Sequence, residues 1–427
     1  SGDGSALCTK CGAGLYLSDD GANAGAHDGI AKCLVCASGK FSSDGAQACD
    51  LCPSGTHLVD DSVDALNHDS ISDCGVCSSG KISNRGATNC VACEGGRYIT
   101  DDSQTITSHD EVSDCKICLA GQWSIDGSAT CTKCVAGKFL SGHGYSASYH
   151  FGIDKCIICP SGTYALEGSG QCESCEAGKY LDDDASDASK HVSEGSCKIC
   201  PKGKWSDPKT HECSDCLPGT IIADDGTDVK YHDEIADCDI CDAGKYAEGS
   251  ANFECTNCPK GKYLSDHKEN RLLHDSSVND CNMCKSGEYS PSDGSTQCTS
   301  CVAGKYLSDD GVSNDASAHD SEEDCLICGY GQWSDTKAQT CTKCETGRYI
   351  SDDKANKENH DSILDCAICG KGKYAAVPGT KLCDSCPAGT FIEDDAADVH
   401  LHNEANDCIV CGSGQYSGDG SALCTKC

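Results

Sequence analysis

Two constellations in this 427-residue sequence have residue types and spacing able to do chemistry. The first is Cys-x-x-Cys, repeated twenty-one times and using all 42 cysteines, from Cys8/Cys11 and Cys33/Cys36 to Cys408/Cys411 and Cys424/Cys427. Paired thiols at this spacing can form disulfides, bind zinc or, with His directly after the second Cys, attach c-type haem. No pair is followed by His, which excludes haem. The second is acidic. Eight and nine residues after alternate pairs stands Asp-Asp: Asp19/Asp20, Asp60/Asp61, Asp101/Asp102, Asp183/Asp184, Asp224/Asp225, Asp309/Asp310, Asp352/Asp353 and Asp394/Asp395. Two repeats depart, with Gly142/His143 and Asp266/His267. A histidine then precedes the next Cys by six residues (His27, His68, His109, His150, His191, His232, His319, His360, His402) or by seven (His274), and in seven of the ten an Asp follows it.

Carboxylates beside an imidazole can hold a divalent cation. The candidate ligands are Asp19, Asp20, His27 and Asp28 in the first repeat, and Asp60, Asp61, His68 and Asp69 in the second. Calcium takes six to eight oxygens and imidazole serves it poorly; zinc or copper suits the set better. The spacing misses the EF-hand pattern. The preferred reading is structural: aspartates cap turns, and the histidine hydrogen-bonds an Asp or a carbonyl to close the loop. No cofactor is expected, unless calcium bridges acidic loops of neighbouring repeats or molecules. An enzyme is not expected either, because a catalytic site gathers unlike residues once in one pocket, whereas here every constellation recurs.

For the cysteines, disulfides are expected rather than zinc. The net charge is −35, whereas zinc arrays commonly grip nucleic acid with a basic face. No histidine substitutes within any pair, and an odd number of pairs does not divide into four-cysteine sites. Zinc-based intracellular metal storage is the reading this sets aside.

The elements that must position these residues are repeats. Successive pairs begin 25 to 27, then 16 or 17 residues apart, and the 416 residues from Cys8 to Cys424 hold ten such cycles, a mean period of 41.6. Periods of this size mark tandem arrays. With 5 Phe, 3 Trp and 1 Met, no large core can form, so small modules need covalent staples. The expected fold is a small disulfide-rich, β-containing tandem repeat, an elongated rod of about ten modules of roughly 42 residues. Its segments are 1–11 (the end of a preceding repeat), 12–52, 53–93, 94–134, 135–175, 176–216, 217–258, 259–301, 302–344, 345–386 and 387–427.

Each half-repeat opens alike, with Gly three positions after the second Cys and, in 17 of 20 cases, an aromatic two positions later; His57, Ile82 and Ile221 are the exceptions. An all-glycine position points to positive φ or a close backbone approach. The ring is expected to pack on the neighbouring disulfide and to be the whole core of its half. Stretches such as Lys-Tyr-Leu and Arg-Tyr-Ile suggest short strands joined by Ser/Asp/Gly turns, and no helical apolar period of useful length is present.

Cysteine counting leaves connectivity open. Pairing within short halves, within long halves, or from each pair to the next (Cys11–Cys33, then Cys36–Cys49) all continue along the array. The short half-repeat, Cys-x-x-Cys-x-x-Gly-x-aromatic, a Gly/Ser turn and another Cys-x-x-Cys, resembles the ephrin-receptor-like cysteine-rich repeat, with a looser likeness to tumour-necrosis-factor-receptor modules. The resemblance implies bonds from first to third and second to fourth cysteine: Cys33–Cys49, Cys36–Cys52, Cys74–Cys90 and Cys77–Cys93. The long half, with its acidic insertion, is outside that pattern.

Cysteine density points to an oxidising compartment, extracellular or at a cell surface. The acidity argues against nucleic acid and anionic membranes, and no apolar stretch approaches the length of a membrane span. SGDGSALCTKC stands at both 1–11 and 417–427, which reads as a segment of a longer array. The expected function is an extracellular structural protein that self-associates into a filament, sheath or appendage such as a flagellar hair or glycocalyx fibre. The alternative is a receptor or adhesion ectodomain, calcium-dependent in one version, with residues 138–156 as its best candidate face.

Overall fold

The computed structural model describes residues 7–142, 144, 146–312 and 315–427. Each half-repeat is one two-stranded antiparallel ladder of two-residue strands. In the first long half Leu15–Tyr16 pairs with Leu34–Val35, and in the first short half Lys40–Phe41 pairs with Asp50–Leu51. Ladders this short have no independent stability, so cross-links and neighbours must hold them. Longer loops carry paired 3₁₀ turns, such as Ala65–Asn67 and Ile71–Asp73, capped by Asp64 and Ser70. No helix of the described residues is long and apolar enough to cross a membrane.

Among the described residues twenty disulfides close these loops in strict alternation, Cys11–Cys33 over 22 residues and Cys36–Cys49 over 13, through to Cys411–Cys424. Insertions are absorbed inside the loops, as in Cys301–Cys325 over 24 residues and Cys369–Cys383 over 14. This is the pair-to-next scheme, and it corrects the pairing implied by the resemblance. Cys33 and Cys36 bond to Cys11 and Cys49, Cys74 and Cys77 to Cys52 and Cys90, and Cys93 to Cys115. The reason lies in the two residues between the cysteines. Leu34–Val35 is a strand, and side chains three apart on a strand leave opposite faces. One cysteine therefore faces the long loop behind it and the other the short loop ahead. The covalent loops begin on the cysteine that ends each sequence segment, so Cys52–Cys74 spans from 12–52 into 53–93.

Backbone bonds stitch each half to the next. Gly14 N–H donates to Ser42 O, Gly39 N–H to Leu58 O, and Ser42 N–H to His68 O. The recurring glycine is demanded by this contact: Gly14 has φ +77°, and a Cβ there would lie 1.9 Å from Ala65 O in the next long loop. The core is equally modular. Cys52, Leu58 and Cys74 form one buried cluster with Phe41 of the preceding short half packed against it; Cys134, Leu140, Cys156 and Trp123 repeat the arrangement. The ring does meet a disulfide, but at most positions, Phe41 and Trp123 among them, it is only half-buried, Tyr289 being a buried exception. The aliphatic residue that follows the long-half ring is the buried one, so the ring is not the whole core.

Two compact units are distinguished, Ser1–Cys200 with Ser206–Cys213, and Pro201–Trp205 with Ser214–Cys427. Each is built from the same two alternating ladders.

Candidate functional site

The largest fully buried side chains are nine histidines: His68, His109, His150, His191, His232, His274, His319, His360 and His402. Each closes its 3₁₀ turn just before the second turn of the long loop and points inward. In the second repeat, His68 Nδ1 lies 2.7 Å from Lys40 O in the preceding short half, and Nε2 lies 2.9 Å from Asp60 Oδ2. The same pair of bonds recurs at His191 (Thr163 O 2.7 Å, Asp183 Oδ2 3.0 Å), His232 (Lys204 O 2.6 Å, Asp224 Oδ2 3.0 Å) and His402 (Lys373 O 2.7 Å, Asp394 Oδ2 2.9 Å). A carbonyl only accepts, so the backbone contact assigns a hydrogen to Nδ1, and Nε2 faces the carboxylate. The imidazole thus clamps its own acidic loop to the backbone of the half-repeat before it.

The aspartate pairs divide the work. The first Asp takes the histidine and organises the turn. Asp224 Oδ2 also accepts the N–H groups of Gly226 and Thr227 at 3.0 Å, while its Oδ1 takes Thr227 Oγ1 at 2.9 Å. The second Asp (Asp20, Asp61, Asp225) is exposed; Asp20 Oδ1 takes Ala22 N–H at 3.0 Å. Asp266, with His267 in place of a second Asp, still bonds His274 at 2.9 Å, which shows that the first carboxylate is the one that matters.

Electrostatics follow the bonds. The His232 imidazole is the largest influence on Asp224 and holds its carboxyl well below the usual range, and His402 does the same for Asp394. At Asp60 and Asp266 burial pushes the carboxyl up, but hydrogen bonds, led by His68 and His274, outweigh it and the net shift is downward. For Asp183 the Lys190 ammonium leads, with His191 contributing. By contrast, burial and the neighbouring carboxylates of Asp114 and Asp365 push Asp110 and Asp361 up.

Two histidines lack the carboxylate bond. His109 Nε2 stands 3.9 Å from Asp101 and His150 Nε2 has no partner among the described residues. At His150 the aspartate is replaced by Gly142, whose backbone closes on the ring: a Cβ there would lie 2.5 Å from Nε2. His143 lies outside the described residues.

Of the sequence-derived cation ligands, the structure brings together Asp19 with His27 at 2.8 Å and Asp60 with His68. It does not bring Asp20 or Asp61 to the imidazole, nor Asp28 or Asp69, for which no contact to it is present. His27, unlike its nine counterparts, is exposed. Among the described residues three other groups place potential ligand atoms within 4.8 Å of one another: His57/Cys77/Cys90, Asp110/Glu111/Asp114 and Asp233/Glu234/Asp237. In the acidic groups one carboxylate already caps a turn, Asp114 accepting Glu111 N–H at 3.0 Å and Asp237 accepting Glu234 N–H at 2.9 Å.

Sequence reasoning placed the histidines in register but not in the core. The available signal was their constant offset from the first Asp of the pair, which is eight residues in most repeats. No protein-family model matches the chain, and no curated protein matches it significantly.

Proposed function

We propose that, in the extracellular or secreted setting that heavy disulfide bonding favours, the chain is a non-catalytic structural array that bears load and self-associates into a filament, sheath or surface appendage. One observation supports this reading above the others: every described loop is covalently closed, while adjoining halves are tied by hydrogen bonds, the histidine clamp and side-chain packing rather than by further cross-links. Twenty loops of 13 to 24 residues enclose about 360 residues. At about 3.5 Å per extended residue, roughly 1,100 Å of chain stays hidden until sulfur–sulfur bonds break. Such a chain yields stepwise between modules without unravelling them, as a load-bearing fibre requires. The −35 charge keeps copies apart at low salt and lets them approach as salt screens it.

Single-molecule pulling tests the mechanical part. The oxidised array should extend little beyond its module-to-module length, and a reductant should release on the order of 1,000 Å more. Imaging at raised ionic strength should show fibres of constant axial repeat. Monodisperse particles at every salt and protein concentration would refute assembly.

A receptor or adhesion role finds support at one place, where Tyr149, Phe151 and Ile153 are 64%, 49% and 59% exposed in the repeat that has Gly142 in place of the first Asp. That reading predicts a saturable partner lost on Tyr149→Ser/Phe151→Ser.

A further inference from the structure

Among the ten long loops only one carries an imidazole at the ring position. His57 sits in the strand Thr56–His57, directly opposite Gly75 in the ladder with Gly75–Val76. Every other long loop has a side chain at that cross-strand position, from Leu34 opposite Tyr16 to Ile409 opposite Phe391. Glycine here leaves one side of the imidazole uncovered. The ring is only half-buried, and so is Cys90, whereas Cys77 is fully buried.

The bonding fixes what this ring offers. His57 Nδ1 lies 3.0 Å from Gly75 O, and because a carbonyl only accepts, Nδ1 carries the hydrogen. The same nitrogen lies 3.2 Å from Cys90 Sγ, which is bonded to Cys77. The ring nitrogen and both sulfurs lie within 4.8 Å of one another. Among the described residues no other disulfide sulfur has a side-chain N–H at hydrogen-bond distance. A donor beside a sulfur stabilises the thiolate formed when its bond is cut, and stabilised thiolates leave faster.

We propose that Cys77–Cys90 is a thiol-exchange site, where a small monothiol adds to Cys90. The incoming thiolate attacks the accessible Sγ of Cys90 and forms a mixed disulfide. The Cys77–Cys90 bond breaks with its electron pair going to Cys77 Sγ, which lies within 4.8 Å of the imidazole N–H and is stabilised by it as a thiolate until solvent supplies a proton. One thiolate is consumed and one thiolate released, with no net oxidation. A second monothiol completes reduction by attacking the mixed disulfide. Among the described residues the other rungs have no side-chain N–H at hydrogen-bond distance from either sulfur. The array thereby carries one chemically addressable rung among inert ones, where a fibre could be opened or linked to another thiol.

The test uses the intact oxidised chain, limiting reduced glutathione, acid quenching and mass-spectrometric mapping of every rung against time. Glutathione should appear on Cys90 first, about tenfold faster than on the average of the other rungs. His57→Tyr and His57→Phe install residues that other repeats carry here, so the fold tolerates them, and both should bring Cys77–Cys90 down to the common rate. Equal rates in the native chain and both variants, or a different rung opening first, would overturn the proposal. A change shared by Cys52–Cys74 and Cys93–Cys115 would assign the effect to packing and overturn it as well.

Discussion

His232 donates from Nδ1 to Lys204 O at 2.6 Å and, eight residues after Asp224, meets that carboxylate from Nε2 at 3.0 Å, so one buried ring ties two half-repeats together. Removing it leaves a cavity, an unpaired carbonyl and a turn-organising aspartate without its partner. His232→Ala should destabilise that loop by on the order of 2 kcal/mol. Because the array is not one cooperative unit, the measurement is amide exchange across 217–238 rather than a single melting point. Asp224→Ala should raise exchange over the same residues, whereas Asp225→Ala, at the exposed second position, should leave it unchanged.

The same aspartates set the response to acid. Asp60, Asp224, Asp266 and Asp394 are all held below the usual carboxylate range. A depressed folded value means that the unfolded chain takes up the proton more readily. The stabilisation is therefore complete above the unfolded value of about 3.9 and is lost as pH falls through the lower folded values. Amide protection, taken relative to the intrinsic exchange rate at each pH, should fall in these loops between pH 5 and 2 and change little around His150, where Gly142 replaces the aspartate. A uniform response across all repeats would contradict the assignment.

Gly95 and Phe151 form a matched pair one repeat apart. A Cβ on Gly95 would lie 1.9 Å from Phe151 Cδ2, and the equivalent residues elsewhere, such as Ala13 and Ala136, have no phenylalanine to meet. Gly95→Ala should cost roughly 1–3 kcal/mol by overpacking. The double variant with Phe151→Ala should recover most of that loss, a coupling that a double-mutant cycle reads directly.

Chelation separates the clamp from a cation site. The first aspartate of each pair is already committed to imidazole and backbone N–H groups. Treating the oxidised protein with a strong divalent-cation chelator should leave amide exchange in the long loops unchanged. Loss of protection at Asp19/His27 and Asp60/His68 would show instead that an ion holds them.

The array, its period and its turn glycines were legible in the sequence because each is a local demand repeated twenty times. Gly14 needs positive φ whichever partner Cys11 takes. Pairing was not legible, because loops of 13 and 22 residues both close without strain and every scheme continues along the chain. Only the strand between Cys33 and Cys36, which sends the two sulfurs to opposite faces, decides it. The buried histidines were legible as a register but not as core. A polar ring is expected at the surface, and its burial depends on Lys40 O and Asp60, one of them 28 residues away in the preceding half. The burial of Leu58 was not legible either, because it depends on the Cys52–Cys74 disulfide and on Phe41 of the preceding half rather than on a local pattern.

Connectivity carries everything else, and proteolysis of the native protein without reduction, followed by mass spectrometry of the linked peptides, measures it directly. The predicted peptides join Cys11 to Cys33, Cys36 to Cys49, Cys52 to Cys74 and Cys77 to Cys90, and so on in alternation along the described repeats. Peptides joining Cys33 to Cys49 and Cys36 to Cys52, or cysteines recovered mainly as free thiols, would contradict it.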